Sequence, residues 1–231
     1  MILGISQPTF MPWIGYFAFL DKLDKIIFLD DIQFEKRSWQ QRNCIKINGD
    51  KHFLTVSVKS KHKFHQNLSE VEIFDYKNLE VIKKKIFYGY KKSKYFQKYY
   101  EKICNIIDKK HIYLIDLNIE LIKFFLKELN IKLDFNFSSK YSLSFKKEKL
   151  IFELCKLNNC SNYLSTLGSM NYLDSFSVIP NTKIKISYFE YKDIRYQQLS
   201  ENFIPKLSII DLLFNEGDKS LDIIRNGFRL I

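Results

Sequence analysis

The sequence is poor in the residues that mark fibrous, linker-like and disulfide-linked proteins. Its 231 residues include only 7 Gly, 4 Pro and 4 Cys. So few glycines and prolines exclude a collagen-like or low-complexity chain, and four cysteines are too few for a disulfide framework at this length. The cysteine spacing matches neither a zinc ribbon nor a CxxC pair, so we predict no metal site. We expect buried or unused thiols in a reducing compartment at Cys44, Cys104, Cys155 and Cys160.

Long apolar stretches are also missing. Lys or Asp interrupts every apolar run before it reaches the roughly 18 residues that a membrane-spanning helix needs. The first residues, MILGISQPTF, have no basic segment ahead of their apolar run, which Gln7 and Pro8 interrupt, so they do not resemble a secretory signal. We therefore expect a cytoplasmic protein that does not span a membrane.

Positive charge and aromatic residues are abundant. Lys plus Arg number 37 against 26 Asp plus Glu, which gives a formal net charge of +11, and 16% of the residues are aromatic. A hydrophobic share of 46% is enough to offset the entropy of ordering the chain, so a disordered protein is excluded. The charge favours anionic ligands, although a lysine-rich composition also places many cations on ordinary solvated surfaces.

The order of the apolar segments predicts one α/β domain over residues 1–231. Residues 1–6 read as a buried strand, residues 13–23 as a helix and residues 25–31 as a second strand. Strand, helix and strand in this order form a βαβ unit with parallel strands, so the N-terminal part is expected to be Rossmann-like. Alternating residues around Asn48 and Gly49 then predict a hairpin, and we expect a mixed sheet.

The spacing of apolar residues becomes helical from residue 78 to residue 130. It predicts about three amphipathic helices, which form an insertion or subdomain within the α/β domain. Strands and helices follow towards the C-terminus, where Ser208 and Gly217 are start and stop signals for a last helix. The first inserted helix carries a group of lysines that forms either a solvated face or a patch that attracts phosphate. They are Lys83, Lys84, Lys85, Lys91, Lys92, Lys94 and Lys98.

Three polar segments stand where loops between buried elements are expected, and such loops hold ligand sites in α/β proteins. They are QPTFMPWIGYF, DDIQFEKRSWQQRN and YQQLSENFIPKLSIID, at residues 7–17, 30–43 and 196–211. The first segment leads into a helix whose start can bind an anion. Gln7 can read an amide or a hydroxyl there, and Trp13 and Tyr16 offer faces for stacking. Alternatively, the prolines only shape a rigid turn and Trp13 belongs to the core.

The second and third segments contain the candidate acids and bases. Asp30 and Asp31 end a buried strand, and one of them can act as a general base while Arg42 holds an oxyanion. The same pair can instead bind Mg²⁺ with substrate phosphates, or form ion pairs within one hairpin. Ser208 is placed to cap the last helix, with Asp211 three residues later, close to a capping box. Asp211 is costly to bury alone, so it should meet a cation of the second segment or face the ligand.

These segments together resemble the WbqC family, which is found among genes for bacterial surface-polysaccharide synthesis. The resemblance runs from Ile2 to about Gly217 and rests on QPxFxPWxGYF, DDxQFxKRSWxxRN, YLS and FxPxLSIIDLLFNxG. It implies a transferase that adds an acyl or aminoacyl group, glycyl among them, to the amino group of a nucleotide-linked amino sugar in O-antigen or capsule synthesis. The acyl donor stays open among an aminoacyl-tRNA, an acyl-CoA and an ATP-activated acid, and no cofactor is indicated.

We therefore predict a single site in which the nucleotide diphosphate meets the first segment and the basic residues of the second. The predicted catalytic residues are Asp30, Asp31, Arg42 and Asp211. The predicted substrate-binding residues are Gln7, Pro8, Trp13, Tyr16, Gln33, Lys36, Arg37, Trp39, Asn43, Lys149, Ser165, Tyr172, Tyr196, Gln198 and Ser208.

Two alternatives remain. The N-terminal layout also resembles HIGH-motif nucleotidylyl transferases, although Pro12 and Tyr16 stand roughly where the histidines would fall, and it allows a nucleotidyl transferase or ligase that uses Mg²⁺. The other alternative is a non-catalytic module that binds a nucleotide sugar or RNA. RNA binding predicts a continuous basic face, whereas transfer to a small ligand predicts a closed pocket that contains both carboxylates.

Overall fold

The central sheet has six strands and is parallel except at one edge, in a computed structural model that describes residues 1–170 and 183–231. The expected α/β class is confirmed. The strands are β1 Ile2–Ser6, β2 Lys25–Phe28, β3 Arg42–Ile47, β4 Asp50–Thr55, β5 Asp134–Phe137, β6 Asn162–Thr166, β7 Lys185–Tyr191 and β8 Phe228–Leu230. The helices are α1 Ile14–Leu20, α2 Tyr76–Tyr90, α3 Phe96–Ile107, α4 Leu114–Glu128, α5 Lys147–Leu157, α6 Ile209–Glu216 and α7 Ser220–Gly227.

The strand order of the sheet is β5-β2-β1-β6-β7-β8. Strands β1 and β2 are parallel, as the βαβ pattern predicted, and among the described strands of this sheet only β8 runs antiparallel to its neighbour, β7. The chain moves from β1 outwards through β2 to β5, and then returns to β6 on the other side of β1. Ligands of open α/β sheets bind outside the carboxyl ends of the strands where the order reverses in this way. This fold therefore places a binding crevice at the ends of β1 and β6.

Both faces of the sheet are covered. Alternate residues of a strand point to opposite faces, and in β2 Ile26 belongs to a large cluster with α1, α4 and α6 while Ile27 packs with α5. Three helices, α2 to α4, lie in the segment where the spacing predicted about three. None of the helices in the described ranges is long and apolar enough to cross a membrane.

The expected hairpin forms a sheet of its own from β3 and β4. Its turn residues Asn48 and Gly49 have φ angles of 52° and 90°, which fits the left-handed geometry of a tight hairpin turn. Helix α2 packs across the hairpin at Gly89, where a Cβ would lie 3.0 Å from the carbonyl oxygen of Lys46. The mixed character of the main sheet thus comes from β8 and not from the hairpin.

Candidate functional site

A cavity of about 700 Å³ opens at the carboxyl ends of β1 and β6, where the strand order reverses. One wall consists of the strand ends, with Ser6, Gln7 and Ser165. A further part of the wall comes from Trp39, in the segment between β2 and β3, and from Asn43 of β3. The fold therefore brings residues of the first two polar segments to the ends of β1 and β6.

Aromatic rings form the apolar part of the cavity. The ring of Trp13 covers Gly15 so closely that a Cβ there would lie 2.2 Å from the indole, and it meets the Tyr191 ring edge-on with centroids 5.5 Å apart. Tyr16 is buried and donates its hydroxyl to the carbonyl oxygen of Gln7 at 3.0 Å. The side chain of Trp39 remains 53% exposed and offers a free ring face at the cavity.

Hydroxyl groups line the end of β6. The Oγ atoms of Ser165 and Ser169 are 2.7 Å apart, and Ser169 donates to the carbonyl oxygen of Thr166 at 2.6 Å. Each hydroxyl has one donor and two acceptor positions, so both retain capacity for a ligand. This end of the cavity is polar and uncharged.

The buried amide of Gln40 fixes the direction of Gln7. Its Oε1 accepts the backbone N–H of Glu35 at 2.9 Å, and its Nε2 donates to Oε1 of Gln7 at 3.0 Å. The backbone donor determines which end of the Gln40 amide is oxygen, and this in turn determines the orientation of Gln7. Gln7 therefore keeps Nε2 as a donor with no acceptor in residues 1–170 or 183–231.

The loop that carries Gln7 is held by further buried polar groups. Asn43 Nδ2 and Ser208 Oγ both donate to the carbonyl oxygen of Met11 at 2.8 Å. Asn118 of α4 donates to the carbonyl oxygens of Gln40, at 2.8 Å, and Pro8, at 3.3 Å. The predicted residues Pro8, Asn43 and Ser208 thus belong to the support of the loop. The capping box expected at Ser208 is wrong, because its hydroxyl binds Met11 and makes no cap bond to α6.

Three charged residues line the described part of the cavity. They are Glu35, Lys51 and Lys206, and all three are exposed. None of them forms an ion pair within the described ranges. The cavity therefore offers two ammonium groups and one carboxylate to a ligand.

The predicted acid pair binds the turn that follows β5. Asp30 accepts the N–H and the hydroxyl of Ser139 at 2.9 Å and 2.6 Å, and the hydroxyl of Ser138 at 3.1 Å. Asp31 accepts a hydrogen bond from the same Ser138 hydroxyl. Since β2 ends at Phe28, both acids stand in the loop beyond the strand, two residues or fewer after Leu29, which lines the cavity. Both Asp30 oxygens are thus engaged, whereas Asp31 Oδ2 has no partner in the described ranges.

Asp211 lies in a separate buried network. It is 0% exposed and accepts the hydroxyls of Tyr90 and Tyr196, each at 2.7 Å. Burial raises the pKa of Asp211, while the two hydroxyl donors and the charge of Lys46 oppose the rise. Gln198 donates to the Tyr196 hydroxyl at 3.1 Å. We expected Asp211 to meet a cation of the second segment or to face the ligand. Its direct partners are instead the hydroxyls of two tyrosines.

The remaining predicted residues lie off the cavity wall. The Arg42 guanidinium stands 4.5 Å from the Phe53 ring centroid, with its buried Nε unpartnered in the described part of the chain. Lys36 lies over the Phe64 ring, and Gln33 donates to the Phe64 carbonyl oxygen at 2.9 Å. Off the wall stand Gln33, Lys36, Arg37, Arg42, Lys149, Tyr196 and Gln198. Tyr172 lies outside the described residues.

The structure thus brings together part of the predicted set. The residues it places on the cavity wall are Gln7, Trp13, Tyr16, Trp39, Asn43 and Ser165. In the described ranges no hydrogen bond or ion pair joins any two of Asp30, Arg42 and Asp211, whose partners are three different groups. No cluster of three or more His, Cys, Asp or Glu side chains suited to a metal ion occurs in residues 1–170 and 183–231.

The chain is similar to known proteins over most of its length. The family model described as the WbqC-like protein family matches residues 7–223. An uncharacterized protein of Mycobacterium tuberculosis strain H37Rv, Rv1507c, is 30% identical over 225 residues, which cover 96% of this chain and 97% of that protein. No solved structure matches the chain. The family match includes every described residue of the cavity wall except Ile5 and Ser6.

Proposed function

Because the chain belongs to the WbqC-like protein family, we propose that it is a cytoplasmic transferase acting on a nucleotide-linked amino sugar. It adds an acyl or aminoacyl group, such as glycyl, to the sugar's amino group during O-antigen or capsule synthesis. The observation that carries the proposal is the cavity between β1 and β6, because α/β sheets bind nucleotides where their strand order reverses. Its volume of about 700 Å³ lies within the range of small-molecule sites.

The nucleotide diphosphate fits the exposed, charged part of the cavity. The Trp39 ring is free to stack on a base, and the ammonium groups of Lys51 and Lys206 are free to neutralise phosphate charge. The uncharged end suits a sugar, because Ser165, Ser169 and the Nε2 donor of Gln7 match hydroxyl groups. These groups support a ligand with an anionic centre, an aromatic end and a hydroxylated end.

The transfer needs a base, since the sugar amine must lose a proton as its nitrogen attacks the acyl carbon. Glu35 on the cavity wall and Asp31 beside it are the carboxylates available for this role, whereas Asp30 is engaged with Ser138 and Ser139. Gln7 Nε2 is an uncharged donor that can hold the oxyanion of the tetrahedral intermediate. We accordingly assign Asp30 to positioning and the proton transfer to Asp31 or Glu35.

Calorimetric titration with a panel of nucleotide diphosphate-linked amino sugars tests the binding step. Trp39→Ala should weaken binding by roughly 5- to 150-fold, since a stacked base contributes about 1–3 kcal/mol. Lys156→Gln on α5, away from the cavity wall, serves as the control and should bind like the wild type. If the wild type binds no member of the panel, the proposal is wrong.

Mass addition to the bound amino sugar tests the chemistry. Either Glu35→Gln or Asp31→Asn should keep ligand affinity and slow transfer by about 10²- to 10⁴-fold, because only the base acts in the transition state. Full activity in both variants would contradict the assigned role of these carboxylates.

A further inference from the structure

Helix α2 and the residues directly after it carry cations that pair with no carboxylate in the described part of the chain. Residues 81–100 include seven lysines and no Asp or Glu. Two of the seven, Lys83 and Lys98, are paired with Glu80, Asp108 and Asp218. In the described ranges the others form no ion pair, and Lys84, Lys91 and Lys92 among them are exposed. Lys84 lies within α2, and Lys91 and Lys92 directly follow its last residue, Tyr90.

Exposed rings accompany these cations. Tyr88 of α2 is 63% exposed, and the Lys91 ammonium lies 5.4 Å from its ring centroid. On β4, Phe53 is 43% exposed beneath the Arg42 guanidinium. Proteins bind single-stranded nucleic acids with this combination, because bases stack on aromatic rings while Lys and Arg meet the phosphates.

The basic face continues to the cavity. Lys85 joins α2 to β4 by donating to the carbonyl oxygen of Phe53 at 3.0 Å. In the hairpin, Arg42 pairs with Thr55 and Cys44 with Phe53, so Arg42, Phe53 and Lys51 share one face. Helix α2 itself packs at Gly89 against Ile45 and Ile47, on the other face of the hairpin. The cations of α2 are therefore connected around the edge of β4, through Lys85, with the face whose Lys51 lines the cavity.

We propose that this surface, formed by Lys84, Tyr88, Lys91, Lys92, Arg42 and Phe53, binds the single-stranded acceptor end of an aminoacyl-tRNA, the acyl donor of the transfer. The inference rests on the proposed function of the cavity. A polymer fits better than a compact donor, because Lys84 lies about 9 Å along the helix axis from the end of α2 at Tyr90, and Lys91 and Lys92 lie beyond that end. An anionic membrane fits less well, because Val81 and two rings provide too small an apolar face for insertion.

The chemistry balances with these two substrates alone. The sugar nitrogen attacks the ester carbonyl carbon at the 3′ end of the tRNA, a C–N bond forms, and the C–O bond to the ribose breaks. The proton of the amine passes through the carboxylate base to the ribose oxygen. The products are the amide-linked sugar and a free tRNA hydroxyl, and the ester supplies the activation.

Fluorescence anisotropy with labelled, uncharged tRNA tests the surface. Replacing Lys84, Lys91 and Lys92 with Gln should weaken binding about tenfold or more, and lower the slope of log affinity against log salt by about 2, since each phosphate on a single strand contributes about 0.7. The matched control replaces Lys132, Lys140 and Lys156, exposed on other elements, and should change affinity by less than about twofold. If both triple variants lose the same affinity for tRNA, the binding depends on net charge alone and the proposal is wrong.

Two further measurements complete the test. Tyr88→Ala should weaken tRNA binding without changing the salt slope, because a ring contributes stacking and no charge. Binding to phosphatidylglycerol vesicles without binding to tRNA would assign the surface to a membrane and overturn the proposal. Wild-type binding of the amino sugar without tRNA binding would refute this donor but leave the cavity's function intact, whereas tRNA binding without sugar binding would support the surface and refute the cavity's function.

Discussion

At the scale of single residues, Asp211 shows how burial turns a carboxyl group into a pH-dependent term in stability. Burial raises the pKa of Asp211 above its ordinary value, so the folded chain holds this proton more tightly than the unfolded chain does. The stability that it contributes is complete below the unfolded pKa of about 3.9 and is lost as the pH rises through the folded pKa. Tyr90 and Tyr196 reduce the free-energy cost of burying the ionised carboxylate, because their hydroxyls donate hydrogen bonds to it.

We therefore predict that the stability of Asp211→Asn relative to the wild type increases as the pH rises from about 3.5 through the folded pKa of Asp211, and is constant above it. Urea unfolding at a series of pH values measures the difference. Asp21→Asn provides a comparison of opposite sign: burial raises the pKa of Asp21, but hydrogen bonds from Arg225 and Lys22 lower it below the ordinary value. If both variants follow the same trend, the role assigned to burial at Asp211 is wrong.

At the scale of elements, the contact between β1 and α1 depends on a missing side chain. A Cβ at Gly4 would lie 2.3 Å from Leu23 Cδ1 and 2.6 Å from Phe19 Cζ. Helix α1 and the turn after it therefore approach the sheet more closely than any larger residue permits. Because β1 leads directly into the loop of Gln7, this packing also sets the position of the cavity wall.

We predict that Gly4→Ala lowers the free energy of unfolding by about 1–3 kcal/mol, the usual cost of overpacking. Gly168→Ala is the matched control, because the nearest atom to its new Cβ is Thr166 Oγ1 at 3.9 Å. Urea denaturation should separate the two variants clearly. Equal stability of the two would show that α1 moves away at little cost.

The elements predicted from sequence are those whose signals are local. The unit of β1, α1 and β2 lies in one short segment with clear apolar spacing, and the Asn48–Gly49 turn marks the hairpin by backbone geometry alone. The pairing of β1 with β6 joins residues 2 and 162, and no local pattern contains that information. The reversal of strand order, and with it the cavity, could not be located in advance.

The candidate site was predictable to the same extent. Its loops were visible as polar segments, but the partners of their side chains come from distant elements. Ser138 and Ser139 bind the acids at positions 30 and 31 across more than a hundred residues, because the neighbouring strands β2 and β5 end side by side. Asn118 was detectable as a polar residue within the apolar pattern of α4, although its acceptors, Pro8 and Gln40, were not. Gln40 lies within the second polar segment, but nothing in the sequence distinguished it from its neighbours as the residue that orients Gln7.

At the scale of the whole molecule, the net charge of +11 means that the excess cations repel one another. In most ion pairs of the described ranges, at least one of the two side chains is exposed, as in the pair of Lys98 and Asp218. Such pairs typically contribute about 0–1 kcal/mol each, and salt weakens them. Salt also screens the repulsion among the excess cations, whose effect extends over a Debye length of about 10 Å at 0.1 M. The two effects have opposite signs, and with this excess the repulsion should dominate.

We therefore predict that the melting temperature rises by a few degrees between about 20 mM and 300 mM KCl, followed by calorimetry. Replacing Lys84, Lys91 and Lys92 with Gln lowers the net charge by three without removing an ion pair, so this variant should melt higher at low salt and respond less to added salt. A melting temperature that falls with salt would mean that attractive pairs outweigh the repulsion. Lys84, Lys91 and Lys92 would then not destabilise the fold, and a stabilising role would compete with the proposed binding of an anionic partner as the reason for their placement.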